Sequence, residues 1–203
     1  MTKREFQDRL KNACAAVAAA EAELTEIDSK FGDADHGLTM SKIAKAVSAA
    51  AGESEGGIQA MLDDAAMAVM VLNGGSAVPL WNTWLDGLQE EAPEGNEIDT
   101  AGIQAIFAKA LKALSDMSGA KVGDKTMMDA LIPAIEAIEA STSDDIKEIM
   151  TAGAEAAIRG AEETVNMKAN FGRARNYGER SIGYADSGAT SWSCMFASFA
   201  EAL

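Results

Sequence analysis

The sequence holds 203 residues, 48% of them hydrophobic, and a formal net charge of -15. The length supports one large domain or two small ones, and the charge opposes nucleic acid or anionic lipid, so an anionic ligand would need cations between it and the protein. Aromatic residues are scarce while Ala and Met are plentiful, which favours packed helices over sheet.

The amino-terminal stretch "MTKREFQDRL" is amphipathic and lacks the apolar segment of a signal peptide. Phe6, Leu10, Cys14, Val17 and Leu24 then recur at helical spacing, predicting one helix over Lys3–Ile27 with Thr2 as its cap. A second is predicted over Leu38–Ala51 and a third over Gly57–Leu72. A fourth starts at Pro79, where a missing N–H costs little. Asp99 caps a fifth over Thr100–Met117, and Asp124 caps a sixth over Lys125–Glu139, with Pro133 expected to kink it. Ser143 caps a seventh over Asp144 to about Met167, and the eighth runs from Ser187 to Ala202. No apolar run reaches the roughly 18 residues that a membrane span needs. Cys14 and Cys194 sit on apolar faces with no partner spacing, as reduced thiols of a cytoplasmic protein do.

Short connections make consecutive helices antiparallel. The expected fold is therefore all-α, a single up-and-down antiparallel eight-helix barrel or bundle over residues 1–203. Its connections then alternate between two ends. The even ones, "GESEG", "DGLQEEAPEGNEID" and "ASTSDD", are acidic and chemically plain. The odd ones, "DSKFGDADHG", "NGGSAV", "SGAKVGDK" and "NFGRARNYGERSIGYADSG", contain glycine and hold most residues suited to phosphate or metal chemistry.

Asp28, Asp33 and Asp35 crowd into eight residues. Like charges this close repel, so they predict either a polar turn in which Asp35 caps the next helix or a hard-cation site suited to Mg²⁺. Gly32 and Gly37 would let the backbone fold round an ion. His36, the only histidine, could be a ligand, a base or a local hydrogen-bonder. It suits a phosphate or nucleotide contact better than Mg²⁺, which prefers oxygen. "NGGSAVP" is a glycine-rich turn into a helix start, where N–H groups can hold phosphate oxygens. Lys125 in a first helical turn opposes the helix dipole and points to a nearby anion. Arg173, Arg175 and Arg180 concentrate positive charge in an acidic chain, where they can meet phosphates or the aspartates.

In order along the chain, "GDADHGLTM", "GGSAVPLWNT", "GAKVGDKTMMDAL" and "GRARNYGERSIGYADSGATS" resemble the motifs of the dihydroxyacetone kinase nucleotide-binding domain. The nearest likeness is to the separate nucleotide-binding (L) subunits of the phosphotransferase-dependent kinases. The resemblance implies a helical barrel holding ADP or ATP at one end through two Mg²⁺ ions. By motif position, Asp28, Asp33 and Asp35 would bind metal. His36, Gly37, Leu38 and Thr39 would lie along the nucleotide, with Ser76 and Ala77 at the phosphates. Gly119, Met127, Arg173 and the turn Asp186, Ser187 and Gly188 would complete the contacts.

The same resemblance implies two partner proteins. A phosphohistidine carrier protein would rephosphorylate bound ADP, and a substrate-binding kinase subunit would hold the small keto-sugar on its own histidine. A homodimer is compatible with it. The sole histidine here already belongs to the aspartate motif, leaving none for the sugar. Ala77-Val78 replaces the family's usual Ser-Gly pair, so a phosphate-binding hydroxyl is missing and Val78 is expected to crowd the loop. Asn82 replaces another glycine, and Tyr184 stands where histidine is common. Alternatives are an ATP-dependent keto-sugar kinase subunit, a nucleotide-loaded regulatory or adaptor protein, and a metal-dependent hydrolase that activates water.

Overall fold

The structure is a computed structural model and describes residues 1–201. Among these are nine α-helices: α1 (Lys3–Ala19), α2 (Glu21–Asp28), α3 (His36–Glu53), α4 (Ile58–Met70), α5 (Ala77–Glu90), α6 (Thr100–Ser118), α7 (Met128–Ala140), α8 (Ile146–Glu163) and α9 (Ser187–Ala200). The predicted end of the last helix at Ala202 lies outside the described residues. Taken with its short continuation α2, α1 counts as one bent rod, giving the eight rods expected. Each rod packs on the next, and α9 packs back on α1, which closes the ring.

Aromatic side chains fill the middle. The rings of Trp81 on α5 and Trp192 on α9 stack with centroids 4.6 Å apart, and Trp84 meets Trp192 edge-on at 5.0 Å. Phe107, Phe196, Phe199 and Phe6 extend the cluster. Helices on opposite sides of the ring are thus joined through its interior. Such pairs add about 0.5–1.5 kcal/mol each beyond the area they bury.

Caps fix several boundaries. Thr2 and Glu5 form a reciprocal capping box on α1, and the Asp99 carboxylate accepts from Gly102 N at 2.8 Å. Both cap positions were predicted. Four expectations need correction. The first helix breaks at Ala20 (φ -79°, ψ 4°), and the bend carries α2 onto the start of α3. Asp124 does not cap the sixth rod, because residues 123–126 turn sharply and α7 starts only at Met128. Asp145, not Ser143, caps α8 by accepting from Lys147 N; the Ser143 hydroxyl accepts from Asp145 N instead. Pro79 lies within the first turn of α5, after Ala77 and Val78. The chain remains helical through Pro133 to Ala140. No described helix is long and apolar enough to cross a membrane.

Candidate functional site

Asp28 ends α2, and Asp33 and Asp35 follow in the turn before α3. One oxygen from each carboxylate lies within 4.8 Å of the others. Asp35 occupies the cap position of α3, yet its carboxylate makes no capping bond. Its backbone N–H donates instead to Asp28 Oδ2 at 3.2 Å. The carboxylate is left free, which weighs against the polar-turn reading. Three hard oxygen donors at this spacing fit a Mg²⁺-type cation. Gly32 has a different role from the one expected: a Cβ there would lie 2.2 Å from Asp28 Oδ1, so only glycine lets that carboxylate face the cluster.

Gly37 also differs. A Cβ at this position would lie 2.0 Å from the Glu21 carbonyl oxygen and 2.2 Å from Thr25 Oγ1. Gly37 therefore sets the contact between α2 and α3 rather than wrapping an ion. This contact fixes Asp28, at the end of α2, relative to Asp35, at the start of α3.

The four odd connections meet at one rim. The Arg173 guanidinium of the seventh pairs with Asp33 of the first. Phe31 of the first packs on Tyr177 and Tyr184 of the seventh, with centroids 5.0 and 5.1 Å away. Gly75 of the third approaches Asp35, to whose Oδ2 a Cβ there would be 3.6 Å. Asn170 N donates to the Asp124 carbonyl at 3.0 Å, and its side-chain amide reaches Asp124 Oδ1 at 2.9 Å. That joins the fifth connection to the seventh. Ser76 and Ala77 open α5 at this rim, while Asp186, Ser187 and Gly188 open α9.

The remaining expected residues divide. Leu38 is exposed, whereas Thr39 is buried beneath Gly74. Met127 is buried and backs the turn at Gly188, where a Cβ would sit 3.3 Å from Met127 N. Gly119 ends α6 in the left-handed conformation (φ 67°), and no contact ties it to the other expected residues. The Val78 side chain is buried in the core beside Gly74. Asn82 donates to the Ala66 carbonyl at 3.0 Å, so it braces α5 against α4.

His36 turns toward α9, with Nε2 3.2 Å from Ser191 Oγ. The Ser191 hydroxyl also lies within reach of the Gly188 carbonyl, so His36, Ser191 and Gly188 form one chain of polar contacts. Burial holds the imidazole below its ordinary pKa, although the Asp28 charge and a hydrogen bond to the Ser187 backbone oppose this. The ring links the starts of α3 and α9. Asp186 caps α9 by accepting from Ala189 N at 2.8 Å. Desolvation pushes its carboxyl up to about 6, while the bond from Ala189 pulls it down.

At this end Asp129 went unnoticed in the sequence, and Lys125 sits in a different setting from the one expected. Asp129 is fully buried and accepts from Gly123 N at 2.5 Å and Thr126 N at 2.7 Å, which shapes the fifth connection. Lys125 is not in a helical turn at all: it adopts φ 59° and its ammonium is buried against backbone carbonyls of the seventh connection. The visible signal was a lysine placed against the helix dipole with an aspartate four residues on.

Fold and rim together define an all-helical barrel that gathers an oxygen-donor cluster and two helix starts at one end. The chain belongs to the DAK2 domain family, which matches residues 30–201. It is 38% identical to the D-erythrulose kinase of Mycolicibacterium smegmatis over 87% of this chain, but it spans only 31% of that longer protein. It is 30% identical to the ADP-binding subunit DhaL of the PEP-dependent dihydroxyacetone kinase of Escherichia coli, covering 88% of this chain and 87% of that one. The fold is shared with the dihydroxyacetone kinase of C. freundii crystallised with AMP-PNP and Mg²⁺: TM-score 0.73 at 22% identity, over 96% of this chain and 33% of that one.

Proposed function

We propose that this chain is the Mg²⁺- and ADP/ATP-binding subunit of a keto-sugar kinase. In this reading a phosphohistidine carrier protein phosphorylates the bound ADP, and the phosphoryl group then passes to dihydroxyacetone or a related keto-sugar held on a separate subunit. The carrying observation is the convergence at one rim of Asp28, Asp33 and Asp35 with the starts of α5 and α9. The 30% identity to the ADP-binding subunit DhaL supports the nucleotide-binding assignment.

Asp28, Asp33 and Asp35 would hold the divalent ions, two of them by the family resemblance, which neutralise phosphate charge when bound. The N–H groups at Ser76 and Ala77 face the same rim and suit phosphate oxygens. Arg173 reaches the rim from the other side and can follow negative charge from Asp33 to a phosphate. His36, Leu38, Thr39, Gly119, Met127 and the Asp186–Gly188 turn would flank the nucleotide, with His36, Thr39 and Met127 acting from behind the surface. Met70, Val71, Met117, Val122, Phe171 and Tyr184 leave large apolar side chains exposed on the odd connections or at the helix ends beside them. An apolar surface around a polar site suits a docking partner subunit.

The test is calorimetric titration of the purified chain with ADP, with and without Mg²⁺, and mass spectrometry under native conditions. The expected result is a Mg²⁺-dependent one-to-one complex. No adenine nucleotide bound under either condition would overturn the reading. The 38% identity to D-erythrulose kinase favours a four-carbon keto-sugar as substrate, and an ATP-driven kinase is the variant to set beside the carrier-driven one. Phosphoryl transfer from ATP to erythrulose, with a substrate subunit but no carrier protein, would select it.

A further inference from the structure

We propose that Lys125 is a positioning residue, an internal cation around which the arginine-bearing connection folds. Its ammonium donates to four backbone carbonyls: Thr164 at 2.7 Å, Met167 at 3.2 Å, Ser181 at 2.7 Å and Tyr184 at 2.5 Å. These carbonyls come from both ends of the segment between α8 and α9, and Lys125 is only 4% exposed. A carbonyl ring of this kind is what a monovalent cation would receive; here the cation is tethered to the fifth connection. An ammonium has three donors, so the contacts share its protons and the residual charge attracts every carbonyl dipole.

The rest of the segment is built round this centre. Gly183 N donates to the Val165 carbonyl at 2.7 Å, Ala169 N to Ser181 Oγ at 2.9 Å, and Asp186 N to Thr164 Oγ1 at 3.0 Å. The 3-10 turns over Ala174–Ser181, which break at Gly178, lie inside the closed loop. Arg173 projects from that loop to Asp33. The Asp186–Gly188 turn leaves it to begin α9. Removing the ammonium would strand several buried carbonyls and let the segment open, without touching the barrel core. Lys125 is held in place in turn: its backbone is left-handed, and Asp129 pins the residues on both sides of it through Gly123 and Thr126.

The consequence for ligand affinity rests on the nucleotide reading above; the consequence for loop order does not. The test compares the full-length protein with its Lys125→Met and Lys125→Ala variants by hydrogen exchange and by Mg²⁺–ADP titration. In Lys125→Met, residues 167–186 should exchange at least about tenfold faster, with α3 to α6 unchanged. ADP should bind about tenfold more weakly, because the binding-competent loop is populated only part of the time. In Lys125→Ala, added propylammonium should restore both loop protection and affinity. A residue needed only for its packing volume would show no such rescue.

Unchanged protection of residues 167–186 would overturn the proposal. So would loss of protection spread over the whole barrel, or a variant that fails to fold whether or not propylammonium is present. Folding that depends on propylammonium would support it. If the unaltered protein binds no ADP, the functional reading falls, and hydrogen exchange with alkylammonium rescue still decides the role of Lys125.

Discussion

Arg173 and Asp33 pair across the rim, joining the last long connection of the barrel to the first. The guanidinium meets one of three clustered carboxylates, at the place where a divalent ion would otherwise balance their charge. Asp33→Asn removes a hard ligand and this pairing together. Mg²⁺-dependent ADP binding should weaken by at least about tenfold, since even second-layer changes at metal sites cost that much. Helical content should stay the same, because Asp33 is exposed and caps no helix. Calorimetry beside far-ultraviolet circular dichroism checks this. Native affinity in the variant would remove Asp33 from the metal site.

Gly37→Ala should weaken both the fold and the metal site. The new methyl group would collide with the Glu21 carbonyl and the Thr25 hydroxyl, and both are held within α2. Overpacking of this kind typically costs about 1–3 kcal/mol. A lower melting temperature is expected, together with weaker Mg²⁺ binding as α2 and Asp28 shift. Wild-type melting would show that α2 moves away freely.

Asp129→Asn tests the fifth connection. Its two carboxylate oxygens each accept a backbone N–H, and an amide would place a donor against one of them. The loss expected is about 1–3 kcal/mol, the usual penalty for a buried unsatisfied group. Urea denaturation should show a lower midpoint with an unchanged slope. Hydrogen exchange should rise first at residues 121–127.

Cys14 gives a stability signature in alkali. Burial pushes its thiol up to about 12 from an ordinary value of 9.0. Between those values the unfolded chain loses a proton that the folded chain keeps. Stability therefore falls as pH rises through that window, by up to about 1.4 kcal/mol per unit, and is unaffected below it. The slope of stability against pH between 9 and 11 should be shallower in Cys14→Ala. At pH 8.5 iodoacetamide should modify half-buried Cys194 first and reach Cys14 only in denaturant.

The helical barrel and the convergence of the odd connections at one rim were readable because both follow local rules. Apolar residues recur at helical spacing, and glycine with arginine or aspartate marks the odd turns while plain acidic residues mark the even ones. The break at Ala20 was not readable, since alanine is the strongest helix former and the bend comes from packing α2 against Gly37. Lys125 was misplaced for a related reason. "GDKTMMDAL" looks like a capped helix start, but its lysine meets carbonyls about forty to sixty residues further along, and no local pattern records them. His36 was placed in the right motif, but only the fold shows its ring turned inward to Ser191.

All three tryptophans of the sequence lie in the one stack that joins α5 to α9. Trp81 and Trp192 each sit about one helical turn below the starts of those helices, at Ser76–Ala77 and Ser187–Gly188. Intrinsic fluorescence therefore comes from a single buried emitter group shielded from solvent. Emission recorded while Mg²⁺–ADP is added would therefore read the surroundings of the one cluster that spans two opposite staves, so the protein carries its own optical probe.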